Sequence, residues 1–194
     1  MVATGPKVIA MAARVADRLT FAGGADPERV RWAIEAARTS RADAGLDPNT
    51  LSLGAYVNVV AHPDAKVALD LATPALFSFA RFSAMHGSAT GALGEEDRRV
   101  IEQIPGVYDM NRHFRRQQSH ADVVTPEFAT RFGAVAPPAV CLPKLEELAT
   151  LALDRLVVVG PSLDTDPATR AEAEACFLSD VAPALRGPTD GRPR

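Results

Sequence analysis

The chain has 194 residues, 47% hydrophobic and 23% charged, with a net charge of -3. That is an ordinary soluble composition with enough chain for one sizeable core, and it lacks the basic footprint of a nucleic-acid binder. The apolar runs are too short to span a bilayer, no signal-peptide pattern is read at the start, and two cysteines without His or Cys neighbours suggest neither a disulfide nor a metal site. A cytoplasmic protein with no nucleic-acid or membrane partner is expected.

Met1-Val-Ala3 predicts the end of a short strand, and residues 7–16 carry Val8, Ala12 and Val15 on one helical face. Thr4 or Gly5 can cap that helix, and Pro6 suits its first position. Residues 19–22 read as a second strand closed by Gly23-Gly24. Asp26-Pro27-Glu28 then opens a helix with the buried stripe Val30, Ala33, Ile34 and Ala37, stopped by Gly45. A third strand is predicted over residues 51–60, ending at His62-Pro63.

Residues 64–150 predict no strand. Helical pieces are expected over 67–72, from Thr73-Pro74 to Gly87, over 95–104 with a stop at Pro105-Gly106, over 108–117, and from Thr125-Pro126-Glu127. Pro137-Pro138 leads into a helix that Pro143 should kink and that lines up Leu145, Leu148 and Leu151. Next comes Leu153-Asp-Arg-Leu-Val-Val-Val-Gly-Pro-Ser162, whose three consecutive valines read as a strand buried on both faces. Asp166-Pro167 opens the last helix, to about residue 185, and residues 187–194 read as a flexible tail. Four strands (about 1–3, 19–22, 51–60 and 154–160) alternating with helices make an α/β protein.

Two stretches could carry a site. Thr4-Gly5-Pro6 at a helix N-terminus offers free N–H groups, a helix dipole and a hydroxyl to an anion, with Lys7 adding charge; an ordinary strand-to-helix turn has the same composition. Asn111-Arg112-His113 with Arg115-Arg116 could clamp an acid or move a proton, or could be a solvated basic face. His62 reads as a turn residue, His86 as a helix terminus, His120 as part of a polar linker, and Trp32 and Tyr108 as packing residues. No Ser-His-Asp order, metal-ligand spacing or P-loop can be assembled, and no catalytic residue is assigned.

Ala3-Thr-Gly-Pro-Lys7 followed by Met11-Ala-Ala-Arg-Val-Ala-Asp17 resembles the luciferase-like flavin and deazaflavin oxidoreductases. Tyr108-Asp-Met-Asn-Arg-His113, Val135-Ala-Pro-Pro138 and Gly160-Pro161 look like later segments of the same family. Arg18 and Ala136 stand where glycines are usual there, and Pro143 interrupts a helix. The resemblance implies a partial (β/α)8 TIM barrel, about the last four strands with a helical insertion before the final one, over residues 1–186. Among the branches it is most similar to the methylenetetrahydromethanopterin-reductase-like group, which implies coenzyme F420 as cofactor and hydride transfer to or from a small organic substrate. It further implies that Ala3, Thr4, Gly5 and Lys7 hold the cofactor phosphate; Arg112 and His113 are the candidates for touching substrate. An FMN-dependent monooxygenase and a non-catalytic half-barrel remnant are the alternatives. Four strands leave two open edges, so a homo-oligomer is expected.

Overall fold

The computed structural model describes residues 1–85, 88–116 and 122–185. Five strands form one parallel sheet: β1 (Val2–Ala3), β2 (Arg18–Phe21), β3 (Ser52–Ala61), β4 (Ala134–Ala136) and β5 (Arg155–Val159). β3 is the hub. Its first residues pair with β2 from Arg18↔Ser52 to Phe21↔Ala55, its middle pairs with β5 from Gly54↔Arg155 to Asn58↔Val159, and its end takes β4 at Val59↔Ala134. β1 pairs with β2 alone, and β4 and β5 each pair with β3 alone, so each of these three strands has a single partner in the described sheet.

One face is covered by α1 (Pro6–Val15), α2 (Pro27–Asp43) and α6 (Pro138–Thr150). Alternate residues Leu19, Phe21, Leu53, Ala55 and Val57 project into a core with Ile9, Ile34, Leu145 and Leu148. A second core joins α3 (Ala65–Arg81), α4 (Glu95–Val107) and α5 (Pro126–Phe132) to Ala22, Val60 and Val135, around Leu71, Leu76, Phe77, Ile101 and Phe128. Each such fully buried Leu or Phe contributes about 1.5–3 kcal/mol. The last helix, α7 (Pro167–Cys176), runs through a π turn at Phe177–Val181 into α8 (Ala182–Leu185).

The four predicted strands and the helical excursion are present, and the local details differ in four places. β4 is a strand where none was predicted; Ala134-Val-Ala136 is too short and small to stand out from its helical surroundings. α3 runs unbroken through Pro74, with Thr73 Oγ1 donating to Leu69 O at 2.6 Å beside the carbonyl that a proline cannot serve. α4 likewise continues past Pro105 to Val107. The predicted helix over 108–117 is only a 3₁₀ turn at Met110–Arg112.

β5 is the main correction. It was expected to be buried on both faces, yet none of its residues is classed as buried, and Val158 is 39% exposed. The reason is its position: a valine run made for two covered faces lies at an edge with no described strand beyond it. His86, His120 and the predicted tail at 187–194 lie outside the described residues.

Candidate functional site

In a parallel sheet wrapped by helices, ligands meet the loops at the strand C-termini. Here that end is built from the loop after β1, the turn after β2, the end of α3 and the segment 108–116. Thr4 leaves β1 and donates its hydroxyl to Phe82 O at 3.1 Å. Gly5 is the N-cap of α1 with φ -104, so its backbone needs no glycine. A Cβ there would meet only Thr90 Oγ1 at 3.7 Å, which leaves the N-terminus of α1 approachable. Lys7 is an exposed residue of the first turn.

Beneath this loop sits a group the sequence reading missed. Arg29 is 2% exposed, and its Nε and Nη1 have no hydrogen-bond partner among the described residues. Only Nη2 is served, by Thr90 O at 3.3 Å. Arg29, Thr4, Ile9 and Gly23 line a small space large enough for about one water. Burial pulls the Arg29 guanidinium down to about 10; Asp26 pushes it back up, Arg98 lowers it, and Asp97 raises it.

Arg41, the other buried arginine of α2, shows what a satisfied position looks like. Its guanidinium donates to Ala13 O at 2.8 Å and Ala16 O at 3.1 Å, at the negative C-terminal end of α1, and to Asp47 O and Thr50 Oγ1. Arg29 lies at the opposite, positive end of the same helix, where the dipole opposes a cation. An anion at Thr4-Gly5 would answer both the helix terminus and the guanidinium. The signal was present in the sequence: Arg29, Ala33, Ala37 and Arg41 fall four residues apart on the buried stripe of α2.

Ala3 and Thr4 also line an open apolar cavity of about 470 Å³ walled by Tyr56, Phe79, Phe82 and Phe114. The aromatic rings pack at 5.8–5.9 Å between centroids around Phe79. Phe114 separates this cavity from a neighbouring one of about 500 Å³ lined by Ala75, His113, Arg115, Gly160, Pro161 and Leu163. Its φ of 58 is unusual for a phenylalanine, and its N–H donates to Ser78 Oγ at 3.2 Å.

His113 belongs to a relay. Ser78 Oγ has one proton, which goes to Pro74 O at 3.0 Å; it therefore accepts from the Tyr108 hydroxyl at 3.1 Å. Tyr108, having donated, accepts from His113 Nδ1, with which it shares a hydrogen bond. That order assigns the proton to Nδ1 and leaves Nε2 as the basic nitrogen. Burial, then the charge of Arg81, lowers the His113 pKa. Arg81 itself sits 4.7 Å over the Tyr108 ring. The ring of Tyr108 does pack, against Phe77, but its hydroxyl is the centre of this relay, which its expected packing role did not include.

The structure thus brings Ala3, Thr4 and His113 to adjoining cavities. Arg112 does not join them: its Nη2 donates to Arg116 O at 3.0 Å, and it lines neither cavity. His62 makes a turn, with Nδ1 accepting from Asp64 N at 3.0 Å. Both cysteines are free; Cys141 Sγ donates to Ala134 O and Ala136 O, and burial pushes its thiol up to about 11. Among the described residues no group of His, Cys, Asp and Glu could hold a metal ion, and no helix is long and apolar enough to cross a membrane.

Solved structures that share this fold include two F420-dependent enzymes. One is a coenzyme F420-dependent tetrahydromethanopterin reductase from Methanopyrus kandleri, with TM-score 0.63 and 19% identity over 96% of this chain and 50% of that one. The other is an F420-dependent secondary alcohol dehydrogenase in complex with an F420-acetone adduct, with TM-score 0.58 and 16% identity over 96% and 48%. The chain therefore spans about half the length of each. No curated protein matches it. The family model of the luciferase-like monooxygenases matches residues 1–155, most of the chain and all of the loop, sheet and relay just described except β5 and the walls that follow it. By that match, the chain belongs to the luciferase-like monooxygenase family.

Proposed function

We propose that residues 1–186 form the C-terminal portion of a luciferase-like oxidoreductase and bind coenzyme F420 for hydride exchange with a small organic substrate. The observation that carries this reading is Arg29, a buried guanidinium with two unserved nitrogens beside the N-terminus of α1. A phosphate at Thr4-Gly5 gives that charge a counterion and the helix terminus an acceptor. The aromatic cavity that begins at Ala3 and Thr4 suits a flat ring system attached to such a phosphate. The likeness to two F420-dependent enzymes supports the choice of cofactor.

The bound deazaflavin would supply the hydride chemistry. The chain's own residues supply position and proton handling. Thr4, Gly5, Lys7 and Arg29 anchor the phosphate, while Tyr56, Phe79, Phe82 and Phe114 wall the ring from water. His113 Nε2 takes or gives the proton that a substrate oxygen exchanges as hydride moves. Tyr108 and Ser78 hold the imidazole in the required tautomer.

Fluorescence titration tests the reading. The chain should bind F420 at least tenfold more tightly than the same deazaflavin without its phosphate tail, and Arg29→Leu should erase that preference. Gly5→Asp should do the same by placing a carboxylate where the phosphate belongs, whereas Gly5→Ala should bind as wild type. Tighter binding of FMN than of F420 would replace the cofactor, and no binding of either would leave a non-catalytic half barrel.

A further inference from the structure

Phe114 lines both the aromatic cavity and the cavity beside His113, and no other described residue is shared by the two. It is also the single non-glycine residue with a positive φ among the described residues, at 58. A phenylalanine held there gives up free energy that a glycine would keep, and such strain persists only where the surroundings impose it. The contacts that impose it are specific. Its N–H donates at 3.2 Å to Ser78 Oγ, the same hydroxyl that accepts from Tyr108 in the relay. Its ring stands edge-on to the His113 imidazole, with centroids 4.4 Å apart and planes at 79°. On its other side it meets Phe79, a wall of the aromatic cavity, at 5.8 Å and 75°. The ring is clamped between the basic imidazole and the aromatic cavity, yet the residue is 37% exposed, so it is not a core residue.

We propose that Phe114 is the specificity-determining residue of this site: a partition that admits carbonyl compounds or alcohols with one substituent arm and rejects those with two. The proposal rests on the reading of the aromatic cavity as the seat of a flat cofactor ring and of His113 as the group that exchanges a proton with the substrate oxygen. An oxygen at His113 Nε2 brings its carbon beside the Phe114 ring. One arm then extends into the cavity of about 500 Å³, whose walls at Ala75, Val159, Pro161 and Leu163 are apolar. A second arm has to leave toward the aromatic cavity, and the Phe114 ring occupies that way.

Aldehydes, methyl ketones and the alcohols that match them satisfy this constraint. A carbonyl in the middle of a chain does not. Burying the single arm contributes about fourfold in affinity for each CH₂. That gain is the same for isomers of equal length, so discrimination between them comes from shape and from the steric block rather than from hydrophobicity.

Heptan-2-one and heptan-4-one have one formula and differ only in where the carbonyl divides the chain. Titrated into the cofactor-free chain and followed by NMR of the His113 ring, heptan-2-one should bind with a Kd at least tenfold lower. Phe114→Ala should reduce that preference to less than twofold by tightening heptan-4-one. Phe114→Gly, which takes a φ of 58 without strain, should do the same. A wild-type chain that binds the two ketones equally, or binds neither, overturns the proposal. So does a preference that survives both substitutions, or one lost only because heptan-2-one binds more weakly. A separate titration with F420 keeps the two readings apart. If F420 fails to bind while the ketone preference stands, the cofactor assignment falls and the partition remains; if F420 binds and the preference is absent, the partition alone falls.

Discussion

His113 shows how three residues set one proton. Ser78 spends its hydrogen on a helix carbonyl, Tyr108 must then donate to Ser78, and the imidazole must donate to Tyr108. A pKa lowered by burial and by Arg81 keeps the ring neutral to lower pH than a free histidine. The sign for stability follows. The unfolded chain takes up the proton first, so the fold loses stability as pH falls below the ordinary histidine value, and the loss levels off once pH passes the lowered one. Arg81→Gln removes the nearby positive charge and should raise the His113 midpoint, read by NMR titration of the ring; an unmoved midpoint would leave burial as the only cause. Little of this was legible beforehand. The sequence offered His113 as a candidate, but Ser78 and Tyr108 lie 30 positions apart and nothing in their spacing announces a contact.

At the scale of elements, short turns do much of the positioning. Lys144 on α6 reaches back to the end of α5 and donates to Thr130 O, to Arg131 O at 2.6 Å and to Gly133 O at 3.0 Å. It thereby serves the carbonyls that end α5 and fixes the turn into β4. Gly24, at φ +95, lies against that same turn, where a Cβ would come within 2.8 Å of Phe132 O, and Ala25 N donates to Phe132 O at 2.6 Å. Lys144→Met should therefore cost about 1–3 kcal/mol, read by chemical denaturation, because it leaves buried carbonyls unserved. Gly24→Ala should cost a similar amount, about 1–3 kcal/mol, through strain and collision. The strands β1, β2, β3 and β5 were legible because parallel strands are written as apolar runs. β4 was not, because three small residues between Gly133 and Pro137 carry no period at all.

For the whole molecule, composition could not distinguish a strand that is covered from one prepared to be covered. Val157, Val158 and Val159 read as buried on both faces, yet they form an open edge, while the equally apolar Val57 one strand inward is fully buried. The two positions should respond differently. Val57→Asp places an unpaired carboxylate in a closed core, a cost of several kcal/mol against a stability of about 5–15, and should abolish folding. Val158→Asp should remain soluble with unchanged far-UV circular dichroism. An insoluble Val158→Asp would mean that this edge is already sealed. The chain spans about half the length of its structural relatives, and β1 and β5 each have one strand partner among the described residues.

The register of β5 on β3 joins residues about a hundred positions apart, Gly54 with Arg155. Arg155 then lies across Gly54, where a Cβ would sit 2.6 Å from its Cγ, and ties itself to Ser52 Oγ at 2.9 Å and Thr20 Oγ1 at 2.8 Å. On a ribosome, the first three strands are made long before this partner exists. β3 must wait with one side unpaired through the synthesis of the entire helical excursion, and such long-range closures are slow and prone to mispairing. A nascent chain that ends before residue 155 should stay protease-sensitive around β3, and protection should arrive late and all at once as β5 clears the exit tunnel. The last strand is therefore also the quality check on everything translated before it.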